Sequence, residues 1–160
     1  GGLPAWKAEN LPLEDGDVKR VASHFTARLD HSVLASMSDV QRALDTQTQV
    51  LDARPSERFR GEVAEPRPGL RMGHIPGSKS LPFSILLENG RMKSPAELNA
   101  LFAQAGIDPN RPIITSCGSG VSAAIITLAL TVAGHKAGAL YDGSWAEWGK
   151  PDGPPIATGA

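Results

Sequence analysis

The chain has a single cysteine, Cys117, which lies in the stretch IITSCGSGVS. A compact β-branched run precedes it, two glycines follow it, and an apolar run begins at Val121. This order predicts a strand, a short loop and a helix, with the cysteine at the carboxyl end of a parallel strand, where open α/β sheets place ligand sites. Cys117 is either a nucleophile in an anion-binding loop or a small apolar residue that fills the core.

The two glycines favour the nucleophile. Gly118 and Gly120 permit backbone angles that side chains would forbid, so the N–H groups of residues 118–122 can converge on one point. Those amides and the positive end of the following helix would stabilise a thiolate and lower its pKa below the free value of about 8.5. The sequence therefore predicts a reactive sulfur at Cys117, with Gly118, Gly120, Val121 and Ser122 as binding residues.

The anion held by this loop is not expected to be a phosphate ester. Protein tyrosine phosphatases and dual-specificity phosphatases also use a cysteine loop between a strand and a helix, but they need an arginine six positions after the cysteine. That position is Ala123 here, so the loop lacks the fork of donors that binds the phosphate. A sulfur atom carried on Cys117 as a persulfide is smaller and bears one charge, and backbone amides alone could stabilise it.

The elements that must position this loop alternate between strands and helices. The predicted strands lie at residues 32–36, 49–53, 79–83, 112–116 and 137–143. The predicted helices lie at residues 38–46, 94–106, 121–133 and 144–149, and residues 54–61 are expected to form a short helix or a turn. Because the strands are mostly apolar on both faces, we expect an α/β fold: a doubly wound sheet of about five mostly parallel strands with helices on both faces.

The caps of two helices and one loop can also be read from the sequence. Ser38 is the expected N-cap of the first helix, and Ser94 that of the 94–106 helix, which has Pro95 at its first position and Gly106 past its end. Residues 62–78 are rich in proline and glycine, which predicts an ordered surface loop of the kind that often carries function.

Two domains are expected to contribute to this chain. Residues 1–32 are rich in glycine, proline and charge, so we interpret them as the tail of a preceding domain and an interdomain linker, and residues 33–160 as one domain. The opening GGLPAW also echoes GSWAEW near the end of the chain. If the second copy closes a domain, the first closes another, which predicts the second half of a tandem repeat.

Composition narrows the function classes. A length of 160 residues suits one core, and a net charge of -1 gives no general attraction to nucleic acid or to an anionic membrane. One cysteine builds no intrachain disulfide, and no Cys/His cluster has zinc-ligand spacing, so we expect no metal and no other cofactor. Without a signal segment or a run of eighteen apolar residues, we expect a soluble, cytoplasmic protein.

The loop CGSGVS, the apolar helix after it and the motif YDGSWAEW together resemble the carboxyl-terminal catalytic domain of the rhodanese superfamily, in its 3-mercaptopyruvate sulfurtransferase branch. DARPSERFRG, EPRPG and GHIPGS match in the same order, so the similarity covers about residues 33–158. GGLPAWKAENLPLE resembles the end of that family's first domain and its linker. The resemblance implies that an amino-terminal rhodanese domain is missing from this chain.

The resemblance also implies a reaction. Cys117 would attack the sulfur of the donor, release pyruvate and carry a persulfide until a thiol such as thioredoxin or a small thiol, or cyanide, accepts the sulfur. Gly118 and Ser119 are neutral where thiosulfate-preferring members have cations, which points to 3-mercaptopyruvate, with thiosulfate as a slower donor. The two arginines that bind the donor carboxylate in the family correspond to Arg58 and Arg67.

Two serines of the loop have implied roles. The Ser119 hydroxyl could donate to the substrate carbonyl or relay a proton, but its His and Asp partners in the family come from the first domain. Ser122 stands where the family has threonine, and its hydroxyl is expected to cap the helix.

Other polar and aromatic residues are expected to be structural. Arg54, Arg60 and Arg71 are weaker binding candidates than Arg58 and Arg67. Asp52 and Arg54 are expected to support the fold, and His74 to be a structural loop residue. Trp145 and Trp148 are expected to pack on the sheet.

Three rival functions remain open. The chain could be a rhodanese-fold binding module that keeps the cysteine loop but lacks catalysis without its partner domain. It could also be a thiosulfate-preferring rhodanese. An arsenate reductase or a phosphatase is the third alternative, for which Ala123 predicts no turnover of p-nitrophenyl phosphate.

Overall fold

The computed structural model describes all of residues 1–160. The strands β1 to β7 are Leu34–Ala35, Gln49–Asp52, Lys79–Ser80, Leu87–Glu88, Arg91–Met92, Ile113–Ser116 and Ala139–Tyr141. The helices α1 to α6 are Gly2–Ala8, Met37–Ala43, Ser56–Phe59, Pro95–Gln104, Ala123–Val132 and Ser144–Trp148. Two short 3-10 turns lie at His31–Val33 and Phe83–Leu86.

Five strands form one parallel sheet in the order β1-β7-β6-β2-β3. The predicted α/β fold with a five-stranded parallel sheet is therefore confirmed. β6 lies at the centre, paired with β2 from Gln49 opposite Ile113 to Asp52 opposite Ser116. All four residues of β2 and of β6 are buried, as expected for strands covered on both faces.

Alternate residues of the central strands enter two separate hydrophobic clusters. Leu51 and Ile113 pack with α4 and α5 on one face of the sheet. Val50 and Ile114 pack with α2 and α6 on the other face. This division follows from the period of two in strand side chains, and it gives the doubly wound arrangement.

Trp145 and Trp148 of α6 are 1% exposed and belong to the second cluster, which confirms that they pack on the sheet. Their indole N–H groups donate to the carbonyls of Arg71 and Pro155, both at 2.9 Å. Each buried indole therefore has its polar atom satisfied. Burying an aromatic side chain of roughly 200 Å² stabilises a fold by about 5 kcal/mol before its conformational entropy is subtracted.

The α2 helix begins earlier than the sequence predicts, and its N-cap is Ser36 rather than Ser38. The Ser36 hydroxyl accepts from the Asp39 amide at 3.2 Å, and the Asp39 carboxylate accepts from the Ser36 amide at 2.8 Å. This reciprocal pair is a capping box. The α4 helix agrees with its prediction, with a capping box from Ser94 and a positive φ of 64° at Gly106.

The small β4–β5 hairpin was not predicted. Strands β4 and β5 form an antiparallel hairpin around Asn89 and Gly90, which have φ angles of 49° and 73°. An Asn-Gly pair with two positive φ angles is the favoured two-residue hairpin turn. The Asn-Gly pair in the sequence is typical of this turn, but two-residue strands are too short to show a periodicity.

The amino-terminal segment carries one short helix, α1, and residues 12–30 contain no helix or strand. Arg91 Nη2 and Glu9 Oε1 join this segment to the rest of the chain at 3.1 Å. Both copies of the sequence echo are short helices, α1 and α6. The boundary between residues 32 and 33 stays a prediction.

None of the six α-helices has the length and apolar character needed to cross a membrane.

Candidate active site

Cys117 directly follows β6, so it lies at the carboxyl edge of the sheet on its central strand. The residue is 1% exposed and belongs to the same hydrophobic cluster as Ala123. The two readings of this cysteine are therefore not exclusive, because its side chain is packed in the core and also lines a cavity.

Hydrogen-bond donors surround the sulfur. The Ser119 amide donates to Cys117 Sγ at 3.4 Å. Burial raises the pKa of the thiol, but the Ser122 hydroxyl and the amides of Ser119, Ala123 and Ser122 outweigh burial and hold the pKa below its ordinary value. The loop therefore favours a thiolate, which is the nucleophilic form of cysteine.

The loop differs from the predicted ring of amides in two respects. The Gly120 amide donates to Ser144 Oγ at 3.1 Å, and the Ala123 amide faces the sulfur in addition to the predicted residues. Gly120 has a φ of 82°, and a Cβ there would lie 2.7 Å from Asp142 Oδ1, so glycine is required for backbone conformation and space. Val121 is 78% exposed.

Ser122 does not cap the helix as expected. It occupies the N-cap position of α5, but its side chain makes no cap hydrogen bond. Its hydroxyl faces the Cys117 sulfur instead. The Ser122 hydroxyl, which was expected to cap α5, therefore stabilises the Cys117 thiolate instead.

A cavity of about 210 Å³ opens beside the sulfur. Its lining residues are Arg58, Glu65, Pro66, Arg67, Leu70, Cys117, Gly118, Ser119 and Ser122. The structure thus brings together six of the eight predicted site residues, and it leaves Gly120 and Val121 outside the lining. A larger cavity of about 760 Å³ includes Ile113 and Ala139, which are the first residues of β6 and β7, so it lies at the edge of the sheet opposite to Cys117.

Arg58 reaches this cavity but is bound by a buried acid. Glu65, whose side chain is 2% exposed, accepts from Arg58 Nε at 3.2 Å and also from Arg58 Nη2. The same carboxylate accepts from Arg54 Nη1 at 2.8 Å, and Arg54 Nη2 pairs with Asp52 at 2.6 Å. This buried chain of charges fixes the Arg58 guanidinium 3.2 Å from where a Cβ of Gly118 would lie.

Sequence reasoning missed Glu65. It lies two residues before Arg67 in EPRPG, and its acidic character inside a glycine- and proline-rich loop was the available signal. The expectation that Asp52 and Arg54 support the fold is confirmed. Arg54 is 1% exposed and also lies 4.3 Å from the ring centroid of Trp145.

Arg67 lines the cavity with an exposed side chain and has no acidic partner. The weaker candidates lie elsewhere. Arg60 pairs with Glu62 at 2.7 Å, and Arg71 donates to the carbonyls of Trp148 and Pro154 at 2.9 and 2.7 Å. Arg67 is therefore the cation of this cavity that is free to bind an anion.

His74 has the structural role that was predicted for it. It is 5% exposed, its Nδ1 lies 2.8 Å from the Phe59 carbonyl oxygen, and its ring stacks on Phe59 at 3.9 Å. None of the four histidines lines the cavity, so no histidine of this chain lies beside Ser119. No group of three or more His, Cys, Asp or Glu side chains is arranged to hold a metal ion.

Comparison with known proteins supplies an independent line of evidence. The model of the rhodanese-like domain family matches residues 36–151. The 3-mercaptopyruvate sulfurtransferase of Escherichia coli K12 is 45% identical over 150 residues, which cover 93% of this chain and 53% of that protein. The human 3-mercaptopyruvate sulfurtransferase is 39% identical over 150 residues, which cover 92% of this chain and 50% of that protein.

A solved structure agrees with these matches. The crystal structure of SseA from Escherichia coli, a 3-mercaptopyruvate sulfotransferase with a rhodanese fold, superposes with a TM-score of 0.77 and 40% identity. The match covers 90% of this chain and 54% of that one. The chain thus spans about half the length of the relatives that it matches.

Proposed function

This chain belongs to the family of rhodanese-like domains, and on that premise we propose that it is the catalytic half of a 3-mercaptopyruvate sulfurtransferase. The observation that carries the proposal is the pairing, in one small cavity, of a thiol whose pKa is lowered with the unpartnered guanidinium of Arg67. Such a cavity suits a small donor that has a transferable sulfur at one end and a carboxylate at the other.

The proposed reaction has two steps. The Cys117 thiolate attacks the sulfur of 3-mercaptopyruvate, so an S–S bond forms and the C3–S bond breaks. The electron pair of the broken bond leaves on C3 as the enolate of pyruvate, and C3 then takes up the proton that the donor thiol gives up. A thiolate or cyanide next attacks the outer sulfur, and the electron pair of the S–S bond returns to Cys117 as the thiolate.

The charges of the cavity support a keto acid as the donor. Arg67 offers a planar fork of donors to the donor carboxylate. Arg58 is already paired with Glu65, so it can orient the donor through hydrogen bonds but adds little net positive charge to the cavity. Gly118 and Ser119 bring no cation to the sulfur itself, so we expect the dianion thiosulfate to be a slower donor than 3-mercaptopyruvate.

We also propose that a preceding rhodanese domain completes the enzyme. The relatives are about twice as long as the part matched here, and Ser119 has no histidine neighbour within this chain. The domain boundary after residue 32, the tandem repeat and a Ser-His-Asp relay across two domains all belong to this proposal. We further propose that thioredoxin or a small thiol accepts the sulfur and that the protein is cytoplasmic.

Arg67 provides a direct test. In Arg67→Gln the donor carboxylate loses its free guanidinium, so kcat/KM for 3-mercaptopyruvate should fall about 10- to 100-fold, the effect of losing a hydrogen bond to a charged group. Pyruvate release in the presence of cyanide measures this. Arg60→Gln removes an arginine outside the cavity and should leave the rate unchanged.

Equal losses in the two variants would contradict the assignment of Arg67. A wild-type protein that is folded and joined to its preceding domain, yet releases no pyruvate, would overturn the proposed activity and favour the binding module. Faster turnover of thiosulfate than of 3-mercaptopyruvate would favour a thiosulfate-preferring rhodanese.

A further inference from the structure

The first residue of α6, just after the connection from β7, is a serine in an unusual conformation. Ser144 is fully buried, and its φ is 48°, in the left-handed region that residues other than glycine rarely adopt. Strained backbone of this kind persists only where surrounding contacts fix it, and it is frequent at functional sites. Ser144 lies 27 residues after Cys117 in sequence but contacts its loop directly.

The Ser144 hydroxyl uses all of its hydrogen-bonding capacity. Ser144 Oγ accepts from the amides of Cys117 and Gly120, both at 3.1 Å, and donates to the Tyr141 carbonyl at 2.7 Å. A hydroxyl has one donor and two acceptor sites. One side chain therefore closes the loop into a ring between its first and fourth residues and ties this ring to the end of β7.

The backbone after Ser144 contacts the same loop. The Trp145 amide donates to the Cys117 carbonyl at 2.9 Å, and the Ala146 amide donates to the Gly118 carbonyl at 3.0 Å. These two bonds engage the first two carbonyl oxygens of the loop. The start of α6 thus occupies two amides and two carbonyls of the loop, and the Ser119 amide is left to donate to the sulfur at 3.4 Å.

We propose that Ser144 is a positioning residue for the chemistry of Cys117: its hydroxyl takes up the amides of residues 117 and 120 so that those of residues 119, 122 and 123 converge on the sulfur. This inference rests on the proposed sulfur-transfer function of the same loop. It also explains the strain, because glycine would adopt the φ of 48° more easily but would supply no hydroxyl.

Neighbouring charges do not replace this role. Arg58, Glu65 and Arg67 line the cavity on the side of the Pro- and Gly-rich loop, and Asp142 lies against Gly120 on the other side. None of these groups accepts from the amides of Cys117 or Gly120. Removing the Ser144 hydroxyl would therefore leave two buried amides without a partner, and the loop would have to move to satisfy them.

The test compares Ser144→Ala and Ser144→Gly with the wild-type protein. The readouts are the pH midpoint of iodoacetamide alkylation at Cys117 and the rate of persulfide formation from 3-mercaptopyruvate. We expect both variants to move the alkylation midpoint upward by about one unit, and thus to slow alkylation about tenfold at pH values below both midpoints, since only the thiolate reacts. Thr115→Val is the matched control, because it removes a fully buried hydroxyl that bonds only to Thr127.

Two results would overturn the inference. One is an unchanged midpoint in both Ser144 variants, and the other is a normal midpoint in Ser144→Gly with a raised one in Ser144→Ala, which would assign the effect to backbone strain. Ser144→Gly relieves that strain, so it keeps the test decisive if Ser144→Ala does not fold. Alkylation needs no sulfur donor, so it tests Ser144 even if the wild-type protein forms no persulfide.

Discussion

Cys117 is a core residue and a candidate nucleophile at once. Its side chain packs with Ala123 and is almost wholly shielded from solvent, yet its sulfur faces amide donors and lines the cavity. Burial alone would make a thiol inert, so the donors decide its chemistry. The sequence could predict this outcome because strand, loop glycines and helix are all local features.

The lowered pKa gives a prediction for pH dependence. In the folded protein the alkylation of Cys117 should have its midpoint below the ordinary value of about 8.5. In denaturant the same cysteine should return to that value, and since the chain has one cysteine, no other thiol contributes. Iodoacetamide rates measured from pH 5 to 10 in buffer and in urea provide the comparison.

The sign of the linked stability follows from the same shift. Between the lowered folded pKa and the ordinary unfolded one, the folded state carries the thiolate and the unfolded state carries the proton, so stability should rise with pH across this window. Below the folded pKa this contribution is lost. A folded midpoint equal to or above the unfolded one would show that burial outweighs the donors.

Two residues of the site could not be predicted from local sequence. Glu65 and Ser144 act through side chains from other elements, one by pairing with Arg54 and Arg58 and the other by accepting from the Cys117 loop. Only folding brings these partners together. Arg58 and Arg67 were assigned through family resemblance, and the difference between them, one paired and one free, is visible only in three dimensions.

At the scale of elements, the sequence predicted the parts with strong patterns. The two central strands and the Ser94-capped helix have clear apolar or capping signals, and they agree with the structure. The ends of α2 and the β4–β5 hairpin were less predictable, because caps within a serine-rich segment compete and two-residue strands have no period. The loop at residues 62–78 has no periodicity, yet it carries Glu65 and Arg67.

Glu65 links this loop to the sheet, which gives a prediction on stability. Glu65→Gln leaves Arg54 with Asp52 as its one charged partner and leaves Arg58 with none, and breaking a buried ion pair costs about 3 kcal/mol. We expect a marked fall in the free energy of unfolding, measured with urea, together with a higher KM for 3-mercaptopyruvate because Arg58 is less well fixed.

Glu62→Gln is the control for this change. Glu62 pairs with Arg60, but its side chain is 54% exposed, so its loss should not measurably change stability. If the two variants unfold at the same urea concentration, the buried chain from Asp52 through Arg54 and Glu65 to Arg58 does not support the fold.

At the scale of the whole molecule, the cavity offers Ser119 no histidine partner from this chain. The chain has a five-stranded sheet, a two-stranded hairpin, two hydrophobic clusters and the cysteine loop, but no histidine lines the cavity. Its relatives are about twice as long. We therefore expect the sulfur to be bound by this chain alone and the rate of transfer to depend on a preceding domain.

The intact mass of the protein after incubation with 3-mercaptopyruvate tests the central claim most directly. The measurement compares the 160-residue chain, a longer form with its preceding domain, and Cys117→Ser of each. We predict a gain of about 32 Da that maps to Cys117 in the longer form, is removed by reductant or cyanide, and is absent from Cys117→Ser. A folded longer form that gains no such mass, or that gains it equally in Cys117→Ser, would contradict sulfur transfer through Cys117.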